Sequence, residues 1–244
     1  MKYNIFLKRI FIILKTKWFF SLLKGKVLSF ASFEILNNLK KQNLEINTIV
    51  DVGANKGQFQ KAANYLFPEA IIHSFEPIPE LFNLLQRKKH TKNSNYNKAL
   101  GNKIGKLEFN LNEYNHSSSF FDISNENQNF PSSKTKKIEV QIDTLDNVIH
   151  ALKIKRPSLL KLDVQGYEME VLKGGVEALG SSIDFIIVEA NFENLYEGQP
   201  SFTDLNRFLN SNNFELKTLL DFNMGNENSY IEADYLYIKK NKVK

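Results

Sequence analysis

The sequence predicts an α/β protein: a doubly wound, mostly parallel sheet that finishes with an antiparallel strand, preceded by a basic amphipathic helical segment. Three observations predict it. Near-continuous apolar runs such as SLLKLDV (Ser158–Val164) and IDFIIVEA (Ile183–Ala190) read as strands buried on both faces. These runs alternate with segments of helical period, which puts crossover helices on the two faces of a parallel sheet. The last two runs, Phe214–Leu220 and Tyr235–Lys239, are separated only by a polar loop, so they pair antiparallel or lie apart.

Taken in order, the first segment is Met1–Leu44. It carries nine basic side chains against Glu34 alone, a charge of +8 out of a chain total of +5, so the other 200 residues are slightly acidic. At helical spacing Tyr3, Phe6, Leu7, Ile10, Phe11, Leu14 and Trp18 share one face, with Lys2, Lys8, Arg9 and Lys15 opposite and Lys17 as an exception. Its longest apolar run, Ile10–Leu14, is far short of the roughly 20 residues a spanning helix needs, and no small-residue cleavage site follows. Two readings stay open: packing on the domain or on a second copy in a homodimer, and peripheral contact of residues 1–30 with an anionic membrane. The expected division is 1–44 for this segment and 45–244 for the main domain.

Within the domain, strands are expected at Thr48–Val52, Ala70–Phe75, Asn95–Leu100, Lys106–Asn110, Lys137–Ile142, Leu159–Val164 and Phe185–Glu189, and helices at Gly57–Phe67, Pro79–Lys89, Asp143–His150, Glu168–Gly174 and Thr203–Asn210. The polar stretch Asn110–Lys137 reads as an inserted loop. With no cysteine in the chain, disulfides, thiolate zinc sites and cysteine nucleophiles are excluded. An acidic body lacks the basic stripe that a nucleic-acid partner requires.

Chemistry concentrates where strands end. In TIVDVGANKGQFQ (Thr48–Gln60) an apolar strand closes on Asp51 and runs into a turn with Gly53 and Gly57, where the backbone can approach a ligand without Cβ collisions. DxGxxxG alone is weak. The next strand ends on Glu76, 23 residues after Gly53, the register of a carboxylate that accepts the hydroxyls of a ribose, and Pro77 stiffens its exit. In SLLKLDVQGYEMEVLKGG, Asp163 sits late in a buried strand and Glu168 at a helix start. Glu189, one strand further on, repeats the pattern.

With DVGANKG, SFEP, LDVQGYEMEVLKGG, IIVEANF and LYEGQ in view, the chain resembles the FkbM family of methyltransferases, of the S-adenosylmethionine-dependent class I fold, over roughly residues 47–240. The resemblance implies a Rossmann-like, seven-stranded sheet with an antiparallel C-terminal hairpin and S-adenosyl-L-methionine as cofactor. It implies that Asp51, Gly53, Asn55 and Gly57 wall the methionine part, that Glu76 holds the ribose with Pro77 beside it among the cofactor-binding residues, that Ala99 and Leu100 lie by the adenine at the end of the third strand, and that Asp163 faces the sulfonium and the acceptor. Gln165 departs from the glutamate that many relatives carry. Methyl transfer asks the protein to align a nucleophile, exclude water and take a proton. Asp163, Glu168, Glu189 and His116 of NHSSSF are the candidate bases, acting without a metal. The expected acceptor is a hydroxyl on a sugar, glycan or secondary metabolite, and the expected location is cytoplasmic, peripheral to the inner face of the membrane. A nicotinamide-dependent oxidoreductase is the main rival, although GANKG lacks the middle glycine that admits a pyrophosphate. A non-catalytic nucleoside-binding module is the second.

Overall fold

The computed structural model describes residues 29–87, 90–112, 118–122, 135–152, 154–192, 195–224 and 230–240. The expected amphipathic helix of the N-terminus and His116 lie outside them.

The main sheet has seven strands in the order β3-β2-β1-β7-β8-β10-β9. The central strands are β1 (Thr48–Val52), β2 (Ile71–Phe75), β7 (Ser158–Leu162) and β8 (Phe185–Asn191), and all of them pair in parallel. One edge adds β3 (Asn93–Tyr96), also parallel; the other adds β10 (Tyr230–Lys239), antiparallel to β8, and β9 (Phe214–Met224), antiparallel to β10. A second sheet of three strands, β4 (Ala99–Gly101), β6 (Thr135–Thr144) and β5 (Gly105–Asn112), stands beside the first.

Both faces of the main sheet are covered, which is why its central strands read as unbroken apolar runs. On one face Val50, Leu160 and Ile186 meet Leu145 and Val148 of α4 (Leu145–Leu152), Leu172 of α5 (Glu168–Lys173), Leu179 of α6 (Val176–Ser181) and Leu205 and Leu209 of α7 (Phe202–Ser211). On the other, Ile49, Leu159 and Ile187 lie under α1 (Phe30–Lys40) and α2 (Gln58–Leu66). The remaining helix, α3 (Pro79–Gln86), has proline at its first position, where the missing N–H costs nothing. Ser29 caps α1 by accepting from Ser32 N at 3.2 Å. Ser201 and Asp204 form a reciprocal capping box at α7.

Three sequence expectations shift. Asn95–Leu100 is not one strand: the amide of Asn97 donates to the carbonyls of Glu76 and Pro77 at 2.9 and 3.1 Å, which turns the chain out of the main sheet, so Ala99 and Leu100 begin the second sheet and do not end the third strand. The helix expected from Asp143 starts at Leu145, because Asp143 and Thr144 complete β6 and the Thr144 hydroxyl accepts from Asn147 N at 3.2 Å. Beyond the expected stop at Gly174 the chain turns helical again as α6, because Gly175 packs directly on Leu145.

Helix α1 belongs to this packing: Phe33, Ile35, Leu36 and Leu39 are buried, and the Asn38 amide donates to Leu220 O of β9 at 2.9 Å. Leu39→Ala is expected to cost about 2–5 kcal/mol through lost burial and an unfilled cavity, read as a lowered urea midpoint at unchanged slope; a cost near zero would mean that α1 is not docked in solution.

Candidate active site

The strand ends converge through the backbone before any side chain takes part. Gly53 N and Ala54 N both donate to Phe75 O at 3.0 Å, and Asp163 N donates to Val52 O at 3.2 Å. This ties the ends of β1, β2 and β7 together. Gly53 has φ +83°, and a Cβ there would overlap the Asp163 carbonyl oxygen, so the corner admits only glycine. Asn55 (φ 49°) and Gly57 (φ 75°) continue the left-handed turn into α2.

Glu76 is buried and closes this corner from the β2 side. Its Oε2 accepts from Asn55 N at 2.7 Å and its Oε1 from Ile78 N at 2.9 Å. A carboxylate oxygen has two lone pairs, so both oxygens keep acceptor capacity after these bonds. Burial raises Glu76 to about 7, with the two N–H donors pulling the other way.

Next to it stands a buried cation. Lys161 of β7 puts Nζ 2.8 Å from Asp163 Oδ2 and 3.9 Å from Asp51 Oδ1, and 5.4 Å from the Phe59 ring centroid. Burial pulls its pKa down, but the charges of Asp163 and Asp51 outweigh this and hold it above the usual lysine range. Asp51 itself is fully buried, and burial, partly offset by Lys161, raises it to about 6. Its Oδ1 accepts no hydrogen bond.

Gln165 bridges the carboxylates. Its Nε2 donates to Asp163 Oδ1 at 2.9 Å and to Glu189 Oε2 at 3.1 Å, while its Oε1 accepts from the Tyr196 hydroxyl at 2.8 Å. Burial raises Glu189 well above the carboxylate range, and Asp163, Glu232, Asp234 and Glu168 add to it. Glu168 is committed to the turn: its Oε1 accepts from Val164 N at 2.9 Å and Gly166 N at 3.3 Å, which gives this candidate base a structural task.

These groups surround a cavity of about 190 Å³ at the carboxyl ends of the parallel strands. Of the expected residues, Gly53, Asn55, Glu76, Pro77, Ala99, Leu100, Asp163 and Glu189 line it; Asp51 and Gly57 stand behind the lining and shape the corner. The cavity suits the expected cofactor. It has an apolar shelf of Val52, Ile78, Leu81, Leu100 and Phe109 for an adenine, the acceptor capacity of Glu76 for a ribose, and, beside the glycine corner, the carboxylate of Asp163, whose charge favours a cationic group. Sequence reasoning missed Lys161, whose only signal was a lysine inside an apolar strand. It also missed Asp221, Glu232 and Asp234, which line the opposite wall; the alternation of Glu232 and Asp234 along a strand was their signal. Burial, then Asp163, raises Asp234 to about 8.

The sequence profile of the methyltransferase FkbM domain matches residues 51–216. The hexuronic acid methyltransferase AglP of Haloferax volcanii is 33% identical over 162 residues, covering 64% of this chain and 61% of that protein. Methyltransferase 1 of Beauveria bassiana is 30% identical over 157 residues, covering 58% and 63%. The chain thus spans about three fifths of the length of the curated relatives it matches. Among solved structures, Aeropyrum pernix fibrillarin with natively bound S-adenosyl-L-methionine aligns with a TM-score of 0.48 at 10% identity, covering 85% of this chain and 76% of that one.

The raised carboxyls set a direction for stability. A carboxyl whose pKa is higher folded than unfolded holds its proton more tightly in the folded state, so its stabilisation is complete below the ordinary carboxylate range and is lost as pH rises through the folded value. For Glu76, raised from 4.5 to about 7, this is about 3 kcal/mol. The ligand-free protein is therefore expected to melt at lower temperature as pH rises from about 5 to 8, with Asp234→Asn making the fall shallower; calorimetric melting across that range checks it, and a rising Tm would contradict it.

Proposed function

We propose that this chain, which belongs to the FkbM methyltransferase family, methylates a hydroxyl of a small-molecule acceptor, a sugar within a glycan by preference. S-adenosyl-L-methionine is its cofactor. One observation carries the reading: the glycine corner at Gly53 and the carboxylate of Glu76 line the same cavity as Asp163 and Glu189.

When bound, S-adenosyl-L-methionine supplies an electrophilic methyl on a sulfonium that departs as a neutral thioether. Glu76 receives the two ribose hydroxyls through the lone pairs that its backbone donors leave over. The apolar shelf takes the adenine. Asp163, held by Lys161 on one oxygen and Gln165 on the other, directs its charge along the cavity. Glu189 accepts the proton of the acceptor hydroxyl; burial, with Asp163 adding to it, raises its affinity for a proton. His116 stays a weaker candidate for the same task.

The acceptor class draws support from the sugar specificity in the name of the Haloferax volcanii relative. The rest of the reading concerns surroundings: action in the cytoplasm, contact of residues 1–30 with an anionic membrane face, and a homodimer. No described helix is long and apolar enough to cross a membrane, and the charge of residues 1–44 suits an anionic surface.

Calorimetry on the intact chain is expected to show S-adenosylhomocysteine binding and no NAD binding, with Glu76→Gln weakening the former by about tenfold or more, the scale of a charge-assisted bond; binding of NAD alone would refute the reading in favour of an oxidoreductase. Tritiated S-adenosyl-L-methionine, incubated with the protein, anionic vesicles and a surface-polysaccharide extract, is expected to label glycan while the protein floats with the vesicles. Label confined to protein or nucleic acid would overturn the acceptor class, and protein left at the bottom of the gradient would remove the membrane contact.

A further inference from the structure

Gln165 occupies a position that a purely structural residue would not need. Its backbone is left-handed at φ 56°, next to Gly166 at φ 93°, a conformation that disfavours a residue with a Cβ. The turn keeps a glutamine there and engages both ends of its side-chain amide. The carbonyl oxygen of its backbone accepts from Ser119 Oγ at 2.6 Å, its Oε1 accepts from Tyr196, and the two hydrogens on Nε2 go to two different carboxylates.

The direction of the amide is set from behind. Tyr196 is fully buried, its hydroxyl donates to the amide oxygen at 2.8 Å, and the reversed amide would set that oxygen against two carboxylates. The nitrogen then faces Asp163 and Glu189. Without a donor between them, two neighbouring carboxylates share one proton and titrate as a pair. A glutamate at 165 would add a third acceptor and no donor at neutral pH.

We propose that Gln165, aimed by Tyr196, is the positioning residue of this site: its single amide nitrogen keeps Asp163 and Glu189 on separate N–H donors, so that they do not share a proton and Glu189 alone is left to take one from the acceptor. The inference rests on the methyltransferase reading for the purpose of that proton, while the division of the two carboxylates is a property of the protein itself. The other charged and titratable groups facing the pair are Lys161 on β7, Asp51 on β1, Glu168 on α5, Glu232 and Asp234 on β10, and Tyr196.

The test is a carbon-13 NMR titration of Asp and Glu side-chain carboxyls in the intact chain, with Asp163→Asn and Glu189→Gln assigning the two resonances. In Gln165→Leu the upper of the two midpoints is expected to rise by about one pH unit or more, a tenfold gain in proton affinity. Tyr196→Phe, which frees the amide to turn, is expected to move the same midpoint in the same direction by less. Gln165→Glu, which keeps the shape, is expected to add a third coupled titration, and with Tyr196→Phe it carries the test should the leucine variant fail to fold. Unchanged Asp163 and Glu189 titrations in a folded Gln165 variant would overturn the proposal. Failure of the unmodified chain to bind S-adenosyl-L-methionine would sink the methyltransferase reading instead, and the titration would still decide the role of Gln165.

Discussion

The structure depends on one steric constraint, the absence of a side chain at Gly53. There the backbone of β1 turns while in contact with the carbonyl of Asp163 on one side and bonded to the carbonyl of Phe75 on the other. A single methyl would push β7 away from β1 and remove the bond that fixes the end of β2. Because the corner closes, Asn55 can present its N–H to Glu76, and Asp163 leaves its strand beside the same opening. The positions of the acidic groups follow from the closeness of three main chains.

That closeness gathers more negative charge than the protein neutralises by itself. Lys161 serves Asp163 and Asp51, and Glu76, Glu189, Glu232 and Asp234 are held above their usual range chiefly by burial. Burying carboxyl groups is tolerable when they keep their protons or when a positive partner arrives. A ligand bearing a sulfonium and an ammonium is such a partner, and its arrival returns these groups toward their ionised forms.

Much of this was legible in the sequence because it rests on local chemistry. Glycines after an apolar strand, an acid at the end of the next strand and the LDVQG block each state a backbone need or a strand-end position, and order along the chain supplied the rest. The helix-free spacing of the last two strands gave the antiparallel finish. What could not be read depends on distant partners. Nothing near Asn97 announces that its amide will cap the exit of β2 and divert the chain into a second sheet. Lys161 looks like a flaw in an apolar strand until Asp51 of β1 is set beside it by the register of the sheet. Glu168 reads as a helix-start residue, yet it also holds the two N–H groups of the preceding turn. The carboxylates of β9 and β10 face the cavity only because those strands continue the sheet past β8.

The lining of the cavity crosses the boundary of the matched span. Ser29, Ala31, Ser32 and Ile35 come before residue 51, and Asp221, Phe222, Asn223, Glu232 and Asp234 come after residue 216. Gly53, Glu76, Asp163 and Glu189 thus lie within the matched span, while part of the facing wall is written in flanking sequence.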